Sequence, residues 1–164
     1  MIEDAWRLLN ATNEWVRFAD GKAAGSLAGA GVLAGALAQA GLSSHFDDAS
    51  QLVVGLWVVS GGFAPLSAVL ALYALTPTLR VGEPTSLIYF EHVARRYSDD
   101  ATGHAAAVRA LLQDPEMYLD EVAAQVWANS KVARGKFLAS GWALFALGLG
   151  LLLAGAASVT ALAG

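Results

Sequence analysis

Residues 137–163 read FLASGWALFALGLGLLLAGAASVTALA, without one charged side chain. A helix crosses the hydrocarbon core of a bilayer with about 20 predominantly apolar residues, and this stretch exceeds that. A core helix of a soluble protein keeps a polar stripe toward water, whereas only scattered Ser and Thr interrupt this one. Two more stretches share the character. Residues 23–42 and 52–75 are also uncharged, with isolated Ser and Gln as their polar content. The chain therefore reads as an all-α integral membrane protein with three transmembrane helices. The competing reading, three buried helices of a soluble bundle, lacks the polar stripes it needs. A removable signal peptide is disfavoured because four acids precede the first span and its apolar run is too long.

The charges fix an orientation. Arg7, Arg17 and Lys22 precede span one; Arg80, Arg95, Arg96, Arg109, Lys131, Arg134 and Lys136 lie between spans two and three. The loop at 43–51 has no Lys or Arg, only Asp47 and Asp48, and nothing basic follows span three. Three spans put both basic segments on one side, which the positive-inside rule makes cytoplasmic. The N-terminus is then inside and the C-terminus outside. The domain plan is a cytoplasmic helix at 1–22 running into span one at 23–42 and an external loop at 43–51. Span two follows at 52–76, a cytoplasmic helical insert at 77–136, and span three at 137–163.

Hydrophobic residues make up 56% of the 164 and charged ones 15%, with a net charge of −4 and no cysteine. Disulfides and thiolate metal sites are excluded, and without a basic excess no nucleic-acid partner is expected. Gly21, Gly25 and Gly29 recur every four residues, and Gly31 and Gly35 follow. Such spacing lets helices approach closely, either within the chain or in a homo-oligomer. Pro65 interrupts the hydrogen bonding of span two, so a kink is expected there, as a fixed bend or a hinge.

In the insert, Thr76-Pro77 and Glu83-Pro84 mark turns. Residues 85–97 and 104–112 read as short helices. Asp114 is the expected N-cap of the last helix and Pro115 its first residue; no breaker follows before the C-terminus. The N-terminal helix, the two short helices and the start of the last helix make a small helical head. Leu87, Phe90, Val93, Val108, Leu111, Leu112, Leu119, Val122, Val126 and Trp127 are its candidate core.

No nucleophile–base set, phosphate loop or dinucleotide fingerprint is visible, so no catalytic residues and no enzyme activity are expected. His45, His92 and His104 read as separate surface histidines, with no metal site. Asn10, Asn13 and Arg17 share one side of the first helix, as a solvated face or part of a site. Polar residues collect near the inner membrane surface: Asp20, Lys22, Arg80, Gln125, Asn129, Lys131, Arg134 and Lys136. Cations there can meet a phosphate, amides can read a base edge, and Tyr89, Phe90 or Trp127 can stack on a ring. The competing reading is that these cations anchor helix ends to lipid headgroups.

Three segments resemble a known family. Phe18-Ala19-Asp20-Gly21-Lys22-Ala23-Ala24 is similar to an Ala-Asp-x-Lys-Ala signature, and Tyr89-Phe90-Glu91-His92-Val93-Ala94 to a Tyr-Phe-x-x-Ile-Ala segment. Gln125 through Asn129-Ser130-Lys131-Val132-Ala133 to Lys136 resembles a Gln-Ile, Ser-x-Ile-Ala and Lys pattern, matched more loosely at Arg134-Gly135-Lys136. In this order they resemble the transmembrane effectors of Pycsar antiphage systems (PycTM). The resemblance implies that a partner nucleotidyl cyclase makes cyclic UMP or cyclic CMP. The effector senses this cyclic pyrimidine mononucleotide and impairs the inner membrane, in abortive infection. No cofactor is implied beyond that ligand. On the family motifs the expected ligand residues are Asp20, Lys22, Asn129 and Lys136. Lys22 and Lys136 would meet the phosphate, and Asp20 a ribose hydroxyl or Lys22. Arg17, Tyr89, Phe90, Gln125 and Lys131 are secondary candidates. The alternative is a small structural membrane subunit that assembles with a partner protein and binds no ligand.

Overall fold

The computed structural model describes residues 1–41, 49–77 and 85–163. The described residues are helical throughout, apart from short connectors: α1 (Ile2–Gly41), α2 (Gln51–Leu75), α3 (Phe90–Arg96), α4 (Ala101–Gln113) and α5 (Pro115–Ala163). Three of these, α1, α2 and α5, are long and apolar enough to cross a membrane. The loop residues His45, Asp47 and Asp48, together with Arg80 and the Glu83-Pro84 turn, lie outside the described residues.

Local chemistry sets the helix ends. Ser50 caps α2, its side chain accepting from Val53 N at 3.4 Å. At the other end Pro77 follows Thr76, which closes α2 by donating to Leu72 O through N and Oγ1. Between them α2 runs through Pro65 as one helix. Asp114 Oδ1 accepts from Glu116 N and Met117 N at 3.1 and 3.0 Å, so the predicted cap starts α5, with Pro115 first. From there α5 is unbroken for 49 residues.

The helix expected at 85–97 is shorter, beginning only at Phe90. The backbone N–H groups before it are taken by side chains. Ser86 N donates to His92 Nδ1 at 2.9 Å and Leu87 N to Glu121 Oε1 at 2.7 Å. Ile88 N and Tyr89 N both donate to Ser86 Oγ. The helix expected at 104–112 begins earlier, at Ala101, because Asp100 caps it by accepting from Gly103 N at 2.7 Å.

The chain forms two compact units. The first comprises Met1–Arg17 and Pro77–Arg134, the second Phe18–Thr76 and Gly135–Gly164. In the second unit the buried face of α1 is Ala19, Ala23, Ser26, Ala30 and Leu33, in alternating steps of four and three. On α2 it is Ser60, Ala64, Ser67, Ala71 and Ala74, with the same steps. That is the seam of helices packed at a period of 3.5, built from small side chains so that backbones approach closely.

Three bonds fix the register of α2 against α5. Ser60 Oγ donates to Gly150 O at 2.7 Å and Ser67 Oγ to Ala143 O at 2.8 Å. Lys136 Nζ donates to Ala74 O at 2.9 Å. Each step is seven residues along both helices in opposite directions, so the pair is antiparallel with one heptad per rung.

The glycines contribute less than their spacing predicted. A Cβ on Gly29 would lie 2.6 Å from Leu147 Cδ2, and one on Gly150 2.8 Å from Leu33 Cδ2. Gly21, Gly25, Gly31 and Gly35 meet nothing within 4 Å. The close-packed stripe is alanine and serine, rotated away from the glycines. The outer surface of this unit carries Val32, Val58, Val69, Leu72, Trp142, Phe145 and Leu152, all more than half exposed. So much outward apolar surface suits hydrocarbon and not water, which removes the soluble-bundle reading.

The first unit packs Ala5, Leu9 and Val122 with Trp6, Ile88, Tyr118, Leu119 and Val126. Trp6 Nε1 donates to Tyr118 Oη at 2.7 Å. Of the candidate core, Leu111 and Val122 are buried, while Phe90, Leu112 and Trp127 are exposed.

Candidate functional site

A cavity of about 360 Å³ opens in the first unit, lined by Trp6, Leu9, Asn13, Ile88, Tyr89, Phe90, Gln125 and Asn129. That is at the small end of the range for small-molecule sites. Three elements build it. Helix α1 contributes Trp6, Leu9 and Asn13 at helical spacing. Helix α5 contributes Gln125 and Asn129, one turn apart on the same face. The segment entering α3 contributes Ile88, Tyr89 and Phe90.

The walls differ in chemistry. One is aromatic: the Tyr89 and Phe90 rings meet edge to face with centroids 5.0 Å apart, and Tyr89 meets His92 at 5.1 Å. Burial, and after it the Glu91 carboxylate, raises the Tyr89 phenol above its ordinary 10.0. It therefore stays a neutral donor at physiological pH. The other wall is a run of carboxamides. Gln125 Nε2 donates to Asn129 Oδ1 at 2.8 Å, and Asn129 Nδ2 donates to Asn13 Oδ1 at 2.7 Å.

The aromatic wall is held by the side-chain acceptors that delay α3. Glu121 reaches from α5 to Leu87 N, and His92 turns back to Ser86 N. His92 is thus buried, 8% exposed, and not the surface histidine its sequence suggested. Its Nε2 is buried without a hydrogen-bond partner among the described residues. His104 is also drawn inward: its Nε2 is buried without a hydrogen-bond partner among the described residues, and its ring lies 5.2 Å from Tyr97.

The expected ligand residues fall into two groups. Asn129, Gln125, Tyr89 and Phe90 line the cavity. Asp20, Lys22 and Lys136 belong to the second unit. There Lys136 Nζ meets Asp20 Oδ1 at 2.6 Å, and the Lys136 side chain is only 11% exposed. Asp20 thus holds Lys136 and not Lys22. The same ammonium donates to the Ala74 carbonyl, one of the last carbonyls of α2, which lack a helical partner. One cation thereby ties α1, α2 and α5 together. Lys22 instead lies over the Phe18 and Phe137 rings, 4.7 and 5.2 Å from their centroids. In the first unit Arg17 pairs with Glu14 at 2.7 Å, and Lys131 lies 4.1 Å from the centre of the Trp127 ring.

Spacing alone marks neither Trp6 nor Glu121 as a site residue, whereas Asn13 stands on the Asn10–Asn13–Arg17 side that reads as a solvated face or part of a site. A further signal for Asn13 is its place seven residues before Asp20, as Asn129 stands before Lys136. Both pairs are separated by 116 residues.

Comparison with known proteins identifies the family. The model of the Pycsar effector protein domain matches residues 4–163. The chain is 29% identical over 156 residues to the Pycsar effector protein PtPycTM of Propioniciclava tarda, covering 92% of this chain and 73% of that protein. Over 48 residues it is 50% identical to the Pycsar effector protein MePycTM of Micromonospora echinofusca, covering 29% of this chain and 81% of that protein. No solved structure matches. The chain belongs to the Pycsar effector family, whose members are named as effectors and not as catalysts.

Proposed function

From membership of the Pycsar effector family we infer that this protein is an antiphage effector of the bacterial inner membrane. It is triggered by a cyclic pyrimidine mononucleotide, cyclic UMP or cyclic CMP, made by a partner cyclase. Its N-terminus and the first unit face the cytoplasm, as the distribution of Lys and Arg requires. The observation that carries the reading is where the cavity is cut. Its walls come from α1 and α5, the same continuous helices that supply two of the three membrane-span candidates. A ligand that binds one arrangement of those helices more tightly shifts the population toward it. Three spans are too few to enclose a channel, so impairment through a pore would require several copies. The open faces at Gly21, Gly25, Gly31 and Gly35 leave room for a second copy.

Within this reading the cavity takes the base. In this reading Lys136, paired with Asp20 and bonded to Ala74 O, serves bundle integrity and not phosphate binding. A potential-sensitive dye in cells expressing the chain tests the function. Supplying cyclic UMP or cyclic CMP depolarises the membrane, and the parent 5′-monophosphates do not. Equal polarisation with and without either cyclic nucleotide would sink the reading and favour a structural subunit.

A further inference from the structure

Among the described residues the cavity lining contains no Lys, Arg, His, Asp or Glu. An anion drawn into it would lose hydration with no countercharge to replace it. An uncharged, flat group loses little and gains contact with Trp6, Tyr89, Phe90, Leu9 and Ile88. The carboxamides opposite add direction. Asn129, in the middle, spends its oxygen on Gln125 and one N–H on Asn13. The ends left over are Gln125 Oε1, an acceptor, and Asn13 Nδ2, a donor. Neither has a partner among the described residues, and both residues line the cavity. Turning all three amides together exchanges the ends but still leaves one donor and one acceptor.

We propose that the Gln125–Asn129–Asn13 relay is a hydrogen-bond reader for an uncharged heterocycle that offers a donor to one end of the relay and an acceptor to the other, with Asn129 keeping the two ends opposite in character. Uracil meets this with N3–H beside a carbonyl, and cytosine with its amino group beside N3. The charged phosphate of a nucleotide stays outside the cavity. The choice of pyrimidines rests on the function proposed above; the demand for a donor, an acceptor and neutrality rests on the cavity alone.

The test is calorimetric titration of the full chain in lipid nanodiscs. The probes are uridine, 3-methyluridine (donor blocked), 5-methyluridine (equal bulk away from that edge), cyclic UMP and cyclic CMP. Uridine and 5-methyluridine are expected to bind alike and 3-methyluridine about tenfold or more weakly, the loss of one well-placed hydrogen bond and its partner's desolvation. Asn13→Ala is expected to weaken uridine about tenfold, with helix content by circular dichroism showing that the variant is folded. The ligand series keeps the test decisive if it is not.

Equal binding of uridine and 3-methyluridine overturns the relay while leaving the function standing. Binding of cyclic UMP without any binding of uridine overturns it too, since the phosphate would then carry the affinity. Uridine binding that depends on the N3 donor, with no binding of either cyclic nucleotide, supports the relay and removes the proposed function. Absence of binding by every probe overturns both.

Discussion

Lys136 shows how one residue holds several elements. Its ammonium is nearly buried between Asp20 Oδ1 and Ala74 O, so its removal leaves a carboxylate and a helix-end carbonyl unmatched. Breaking a fully buried pair from one side costs about 3–5 kcal/mol. Asp20 is 37% exposed, and solvent screening reduces that. Lys136→Met is expected to destabilise the bundle by about 2 kcal/mol, read as a lower midpoint in denaturing-detergent unfolding. Adding Asp20→Asn should recover part of the loss, because it removes the stranded charge. Additive losses in the double variant would show that the two side chains act independently. At the same scale, Asn129 joins Gln125 to Asn13 by using both its polar atoms, a role a sequence cannot assign without knowing which helix faces it.

Among the elements, α1 contrasts glycine spacing with actual packing. Its Gly-xxx-Gly run suggested a glycine seam, yet the buried face is Ala19, Ala23, Ser26, Ala30 and Leu33. Glycine substitutions should divide accordingly. Gly150→Ala places a Cβ 2.8 Å from Leu33 Cδ2 and 3.1 Å from Phe63 Cβ. Overpacking of this kind costs about 1–3 kcal/mol. Gly25→Ala meets nothing within 4 Å and gains up to about 1 kcal/mol of helix propensity. Thermal unfolding of both variants in one detergent checks the division; equal destabilisation would mean that a second copy packs on the Gly25 face. Helix α3 teaches a related lesson. Its apolar spacing suggested an earlier start, but Ser86, His92 and Glu121 satisfy the N–H groups before Phe90. The resulting non-helical segment places Ile88 and Tyr89 in the cavity wall.

For the whole molecule, the absence of cysteine makes topology directly testable. Single-cysteine variants Ser50→Cys and Asp99→Cys should respond oppositely to a membrane-impermeant maleimide. In intact spheroplasts Ser50→Cys is labelled and Asp99→Cys is not; permeabilised cells label both. Labelling of Asp99→Cys in intact spheroplasts would reverse the orientation and put the cavity on the wrong side for a cytoplasmic ligand. The outcome matters because orientation rests on the distribution of ten Lys and Arg residues and on parity, whereas the spans rest on hydropathy.

The sequence by itself determined the three apolar helices, the family, and helix ends made by adjacent residues, such as Asp114 with Pro115. Hydropathy accumulates along the chain, and a cap reaches only two or three residues, so both survive without tertiary knowledge. Tyr89, Phe90, Gln125 and Asn129 were also legible as ring-and-amide chemistry near one another. The tertiary structure decided which partners meet. Asp20 and Asn13 find Lys136 and Asn129 across 116 residues, and His92 is buried by a turn that helical periodicity did not foresee. Each residue along a helix turns the side chain by about 100°. A single step therefore separates a buried alanine from an open glycine, as at Ala30 and Gly31.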